Sequence, residues 1–231
     1  MPAEIIEDRE LQDRESVFAD REEAGERLAD LLAGYRGKDA IVLAIPSGGV
    51  PVGLAIADRL GLPFDLLIIR KIPVPGNTEA GFGALSLEGD LLLNELLVAD
   101  LGLSPAEIER LAAPVRAELR ARNTLFREDR PFPALAGRTV MLVDDGLASG
   151  STMLAGVRLV LRRQPAETVI AVPTAPGRTV ERLALEVGRI ICPNIRSGPI
   201  FAVASAYRNW YDLSRQEVQE LLRRHGLIAG P

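Results

Sequence analysis

The stretch Val140–Met153, VMLVDDGLASGSTM, restricts the fold more than any other in this chain. Its apolar run, Val140-Met141-Leu142-Val143, has the length of a buried strand. Two adjacent acids, Asp144 and Asp145, end that run. Small residues follow from Gly146 to Thr152, and an amphipathic helical pattern comes next. A chain that passes from strand through a small-residue loop into a helix points its loop amides and its helix N-terminus at one spot. That spot suits a phosphate. Carboxylates beside it accept hydrogen bonds from sugar hydroxyls. A bland reading of the same residues is a tight strand-to-helix turn capped by Ser149 or Ser151. A paired-acid metal site would not need Gly146, Gly150, Ser151 and Thr152 directly after the acids.

The rest of the chain repeats this alternation. Asp20 is placed to cap a helix from Arg21 to about Gly34. Apolar strands are expected at Ala40–Ile45, Phe64–Ile69, Thr139–Val143, Thr168–Val172 and Arg189–Cys192. Helices are expected at Pro51–Leu60, Ser151–Arg163 and Arg178–Val187. Continuous apolar strands between helices imply an α/β fold with a parallel sheet covered on both faces. Two regions break the rhythm. Residues 72–133 read as an insertion after the second strand. It opens with a Pro/Gly-rich loop, continues as a hairpin turning at Ser86–Asp90, and ends in a helix whose Ser104-Pro105-Ala106-Glu107 start is a capping box. Residues 195–231 form a tail carrying Phe201, Tyr207, Trp210 and Tyr211. Ligands of α/β sheets bind outside the carboxyl ends of the strands, so both regions are positioned to fold over a site there.

Ile45-Pro46-Ser47-Gly48-Gly49-Val50-Pro51 also follows a strand and opens a helix. Its two glycines allow close backbone approach to an anion. It is neither a Walker loop nor a nucleophile elbow. Arg70 and Lys71 end the second expected strand, where a diphosphate needs cations; a solvated basic pair is the plain alternative.

The motif at Val140–Met153 resembles the 5-phosphoribosyl 1-diphosphate (PRPP) signature of type I phosphoribosyltransferases. The resemblance implies one phosphoribosyltransferase domain over residues 1–231, with a central parallel sheet of about five strands flanked by helices. It also implies a hood made by the tail and the insertion. Asp144 and Asp145 would hold the ribose hydroxyls. Gly146, Leu147, Ala148, Ser149, Gly150, Ser151 and Thr152 would wrap the 5-phosphate. Ser47, Gly48 and Gly49 would form the diphosphate loop, with Arg70 and Lys71 beside it. Mg²⁺ would be held mainly by PRPP oxygens. The acceptor would be a nucleobase or a similar planar molecule. Tyr207 and Trp210 would either stack on it or pin the terminal helix to the core. Glu79 and Glu88 are candidate hood carboxylates by the same resemblance, with solvated surface residues as the plainer reading. Hypoxanthine/guanine-type members carry an Asp where this chain has Ala148, so the match is closer to adenine and orotate types. A non-catalytic PRPP- or nucleotide-sensing regulator is the alternative on the same fold. The resemblance further implies a role in nucleotide metabolism; the oligomeric state is open, with a homodimer as the working expectation.

Composition agrees with an enzyme of small molecules. A net charge of −5 without a basic stripe argues against nucleic acid as a partner. No apolar run approaches the roughly 20 residues of a membrane helix. The acidic N-terminus lacks a signal-peptide core, and a cytoplasmic location is expected. One cysteine, Cys192, excludes an internal disulfide and any Cys-based zinc site. It follows Ile190-Ile191 and reads as a core residue. The one histidine, His225, lies in a charged terminal helix and reads as solvated.

Overall fold

The computed structural model describes residues 3–87 and 89–230, apart from the side chains of 78–80. Glu88 and the side chain of Glu79 therefore lie outside the described residues. The chain begins with a short strand, β1 (Glu4–Ile6), and reaches helix α1 (Arg21–Leu31). Asp20 caps α1 as expected: its carboxylate accepts from the N–H groups of Glu22 and Glu23, which the helix leaves without internal partners. Strand β2 (Ala40–Ala44), helix α2 (Gly49–Leu60) and strand β3 (Phe64–Leu66) follow. The insertion then contributes β4 (Ile69–Val74), β5 (Asn77–Ser86), β6 (Leu91–Leu93), α3 (Glu95–Asp100) and α4 (Pro105–Arg127). The chain returns with β7 (Thr139–Val143), α5 (Ser151–Leu161), β8 (Glu167–Ala171), β9 (Thr174–Pro176), α6 (Gly177–Leu183), β10 (Arg189–Ile191) and β11 (Asn194–Arg196). A 3-10 turn at Val203–Ala206 leads to the last helix, α7 (Arg215–Arg224).

The central sheet is parallel throughout, in the order β1-β10-β8-β7-β2-β3. It has six strands rather than about five. The additional strand, β1, is a three-residue edge whose pairing partner, β10, lies at the other end of the chain. The sheet is buried on both faces with the two-residue period of a pleated strand. Ile41, Leu43, Val140, Leu142, Ile170 and Ile190 pack with Val157 and Val160 of α5 and Val180 of α6. Val42, Met141, Val143, Val169, Ala171 and Ile191 pack with Leu28 of α1 and Ile56 of α2. Cys192 is fully buried in the first of these cores, and burial pushes its thiol far up, so it is no nucleophile.

The expected second strand, Phe64–Ile69, is in fact divided. Leu67 N–H donates to Ala44 C=O, the last bond to the core sheet, and Ile68 C=O accepts from Leu87 N–H in the insertion. From there β4, β5 and β6 make a separate antiparallel sheet. Arg70 and Lys71 thus belong to β4 and not to the end of a core strand. The Pro/Gly-rich segment is itself largely strand, turning at Pro75-Gly76 between β4 and β5. The insertion packs through a core it shares with the parallel half: Ile72, Phe82 and Leu85 meet Ile108, Leu119 and Phe126 of α4, Val218 and Leu222 of α7, and Val50 and Leu54 of α2. The Ser104–Glu107 capping box and Pro105 begin α4 as read. At the other end, Arg127 makes a two-point ion pair with Asp65 of β3, Nε to Oδ1 at 2.8 Å and Nη2 to Oδ2 at 2.9 Å. This buried pair ties the insertion to the parallel core.

Candidate active site

Register places the two loops read as ligand-binding side by side. Ala44 of β2 pairs with Val143 of β7, so both strands end at one level. Ile45 N–H donates to Val143 C=O at 2.9 Å. The loops after these strands share space so tightly that only glycine fits. A Cβ on Gly49 would lie 2.7 Å from Val143 O and 3.0 Å from Asp144 Cα. A Cβ on Gly48 would lie 1.9 Å from Asp145 Oδ2. The Pro46–Ser47 peptide is cis.

The two acids face different ways. Asp144 lines a cleft of about 1250 Å³, together with Pro46, Arg70, Lys71, Ser149, Ser151 and Thr152. Asp145 is turned toward Gly48 and toward Arg21, whose Nε lies 2.8 Å from Oδ2. Asp145 N–H donates to Asp144 Oδ1 at 2.9 Å. Burial pushes the Asp144 carboxyl well above the usual carboxylate range, and the adjacent Asp145 adds to this. Burial also raises Asp145, against the opposing pull of Arg21. Two neighbouring carboxyls served by one guanidinium are short of positive charge.

The small-residue loop is shaped from below by α6. Thr179 Oγ1 donates to Ala148 C=O at 2.9 Å, and the Arg182 guanidinium donates to Ser149 C=O. Planar trans peptides then direct the N–H groups of Ser149 and Gly150 to the opposite side. Leu147 N–H is held separately by Thr174 C=O at 3.0 Å. Gly150 precedes α5 with φ +67°, a conformation that disfavours side chains, and has no side chain to cap the helix; Ser149 Oγ accepts from Ser151 N–H at a long 3.4 Å. Ser149 and Ser151 hydroxyls are 2.7 Å apart. The loop has the form of an anion cradle at a helix N-terminus.

The far wall of the cleft is the insertion. Arg70 Nη2 meets the Glu118 carboxylate of α4 at 2.9 Å, and Arg122 Nε shares that carboxylate at 3.3 Å. Leu92, Leu93, Leu96 and Val115 give this wall an apolar character. The tail stands elsewhere. Tyr207 is buried, and its hydroxyl donates to Asp145 C=O at 2.5 Å. Trp210 lies over Arg21, with the guanidinium carbon 4.0 Å from the ring centroid. Neither ring lines the cleft. His225 is exposed, as read: it caps the end of α7 and its Nε2 is 3.0 Å from Asp58 Oδ2.

The sequence reading missed Arg21 and Glu118. A faint signal existed for Arg21, because a cation in the first turn of a helix opposes the helix dipole. Glu118 gives none, being one charge among many on an exposed-looking helix. Among the described residues no cluster of three or more His, Cys, Asp or Glu forms a metal site, and no helix is long and apolar enough to cross a membrane.

The family model for the phosphoribosyl transferase domain matches residues 13–193, which include both loops and both acids. The chain belongs to the phosphoribosyl transferase domain family. Relatives of this phosphoribosyl transferase domain agree. A protein of Mycobacterium tuberculosis, carried by two strains under the name "Putative phosphoribosyl transferase", is 36% identical over 208 residues, 90% of this chain and 47% of the relative. The chain thus spans about half the length of the curated relatives it matches. The crystal structure of TT1426 from Thermus thermophilus superposes with a TM-score of 0.78 at 35% identity, covering 90% of this chain and 98% of that one.

Proposed function

We propose that this domain transfers the 5-phosphoribosyl group of PRPP to a planar acceptor, a nucleobase or a relative of one, with release of diphosphate. The observation that carries this reading is the set Asp144, Asp145 and the Gly146–Thr152 cradle at the end of β7, next to the Ser47–Gly49 loop and across the cleft from Arg70 and Lys71. The 5-phosphate takes the loop amides and the Ser149, Ser151 and Thr152 hydroxyls. The ribose hydroxyls donate to Asp144, which faces the cleft, and to the Asp145 oxygen that Arg21 does not hold. The diphosphate lies along Ser47–Gly49 toward Arg70 and Lys71.

In the reaction the anomeric C–O bond to diphosphate breaks and a bond from C1 to an acceptor nitrogen forms. Diphosphate leaves with the electron pair, and the acceptor gives up its proton. The ribose ring carries the positive charge that develops, so no nucleophilic side chain is required. Arg70 and Lys71 stabilise the departing charge by preorganised electrostatics. Mg²⁺ suits this donor set: it favours oxygen ligands, keeps several waters, and takes one or two carboxylates plus substrate phosphates. Asp144, facing the cleft and short of counter-charge, is the side chain best placed to meet it. Bound with PRPP, the ion would neutralise leaving-group charge.

Ala148 offers no carboxylate to a purine N7, which disfavours hypoxanthine and guanine. The apolar insertion wall supports a flat acceptor held by shape and a few polar groups. A panel of nucleobases with PRPP and Mg²⁺, read by diphosphate release, tests the reading. At least one base should give turnover that needs both PRPP and Mg²⁺. Release from none, with PRPP bound, would leave a PRPP sensor in place of a transferase.

A further inference from the structure

We infer that Arg21 is a positioning residue for Asp145, held in place by the tail segment Tyr207–Tyr211, so that ligand binding at the paired acids is coupled to the order of that segment. The inference rests on the PRPP reading above. Arg21 opens α1, yet only 6% of it is exposed. Its guanidinium meets an acid, a carbonyl and two rings, that of Tyr207 with its centroid at 6.0 Å. Nε takes Asp145 Oδ2 at 2.8 Å, Nη1 donates to Tyr211 C=O at 2.9 Å, and the flat face lies on Trp210. The tail also holds the same acid from its backbone side, through Tyr207 Oη to Asp145 C=O. Tyr207 and Trp210 lean on each other with centroids 5.1 Å apart.

The tail is fastened in turn to the segment just before α1. Ser16 N–H donates to Ser205 C=O, Phe18 N–H to Ala206 C=O, Arg208 N–H to Phe18 C=O and Asn209 N–H to Ala19 C=O. Two chain segments far apart in sequence thus zip together directly behind Asp145. The result is a buried guanidinium fixed on one edge by an acid, on another by a carbonyl, and on its face by a ring. Lysine lacks the second arm and the flat face that this arrangement uses. Arg21 sets where the Asp145 carboxylate stands, and through Gly48 it sets how the neighbouring loop packs.

Trp210 is the sole tryptophan of the chain and reports on this contact. With Mg²⁺ and PRPP added to the wild-type chain, Trp210 emission should change and amide hydrogen exchange across residues 203–211 should slow. Arg21→Gln should weaken PRPP binding about 10–100-fold, the range for partners that orient a ligating group. The PRPP KM should rise with little change in the acceptor KM, and the emission response should vanish. Arg21→Lys should recover only part of the affinity. The exchange measurement needs no variant and stands even if Arg21→Gln folds poorly. PRPP binding by the wild type with unchanged exchange at 203–211, or by Arg21→Gln as tightly as by wild type, overturns this inference alone. No PRPP binding by the wild type overturns the functional reading and this inference together.

Discussion

Gly48 and Asp145 occupy one space: a Cβ at residue 48 would fall 1.9 Å from the Asp145 carboxylate, which Arg21 holds from the other side. The close approach links the loop after β2 to the acids after β7. Gly48→Ala must displace Asp145 or the loop itself. Over-packing of this kind costs about 1–3 kcal/mol. The expected outcome is a folded protein with weakened PRPP affinity, measured by calorimetry beside thermal unfolding. Unchanged affinity would mean that Asp145 is not needed where it stands.

The phosphate cradle makes a second prediction. At Gly150 the backbone is left-handed and a Cβ would lie 2.6 Å from Thr179 Cγ2. Gly150→Val meets both obstacles, and a β-branched side chain is poorly tolerated at such a φ. It should abolish binding of 5-phosphoribosyl ligands. Ser151→Ala removes one hydroxyl and should cost about 1–3 kcal/mol of binding. If ribose 5-phosphate and PRPP bound Gly150→Val as well as wild type, the phosphate would have to lie elsewhere.

Much of this site was legible because it is local. The strand, acids, small-residue loop and helix from Val140 to Met153 are contiguous, and the chemistry of each residue type applies without knowledge of the rest. The caps at Asp20 and Ser104 were legible for the same reason. What could not be read were pairings across the chain. Arg21 meets Asp145 across 124 positions. The run Leu66–Ile69 is uniformly apolar, so nothing marks where it leaves one sheet for another. Tyr207 could be read equally as a ring for stacking or for packing; its burial depends on Phe18 and Ala24, which only the fold brings to it.

Asp144 makes stability depend on pH in a definite direction. Its folded-state pKa is raised above the usual 3.8 by burial and by Asp145. The stability from its protonated form is therefore full below the unfolded value and is lost as pH rises through the folded one. Above that folded value the ionised side chain opposes folding, and Asp144→Asn should relieve this. The melting temperature should rise by about 2–4 °C per kcal/mol relieved. The advantage over wild type should shrink as pH falls toward about 4, the ordinary range of an Asp carboxyl. Comparing the two proteins cancels the acid sensitivity of carboxylates such as Asp8, whose pKa is lowered by Arg27. A difference that is constant with pH would show that Asp144 is not strained by its surroundings.

The Asp65–Arg127 pair predicts a separation of stability from binding. Arg127→Met leaves the Asp65 carboxylate with little water, no counter-charge and only the Leu66 N–H as a partner, and should cost about 3–5 kcal/mol. Asp65→Leu with Arg127→Met should restore most of that loss. Denaturant midpoints of the single and double variants test this. PRPP affinity of the double variant should stay near wild type, since neither residue lines the cleft.

The most direct test of the account is titration of Mg²⁺ and PRPP into the wild type and into Asp144→Asn/Asp145→Asn by calorimetry. PRPP should bind the wild type in a Mg²⁺-dependent way, and that binding should be lost in a double variant that still unfolds cooperatively. Equal PRPP affinity in the two proteins would contradict it.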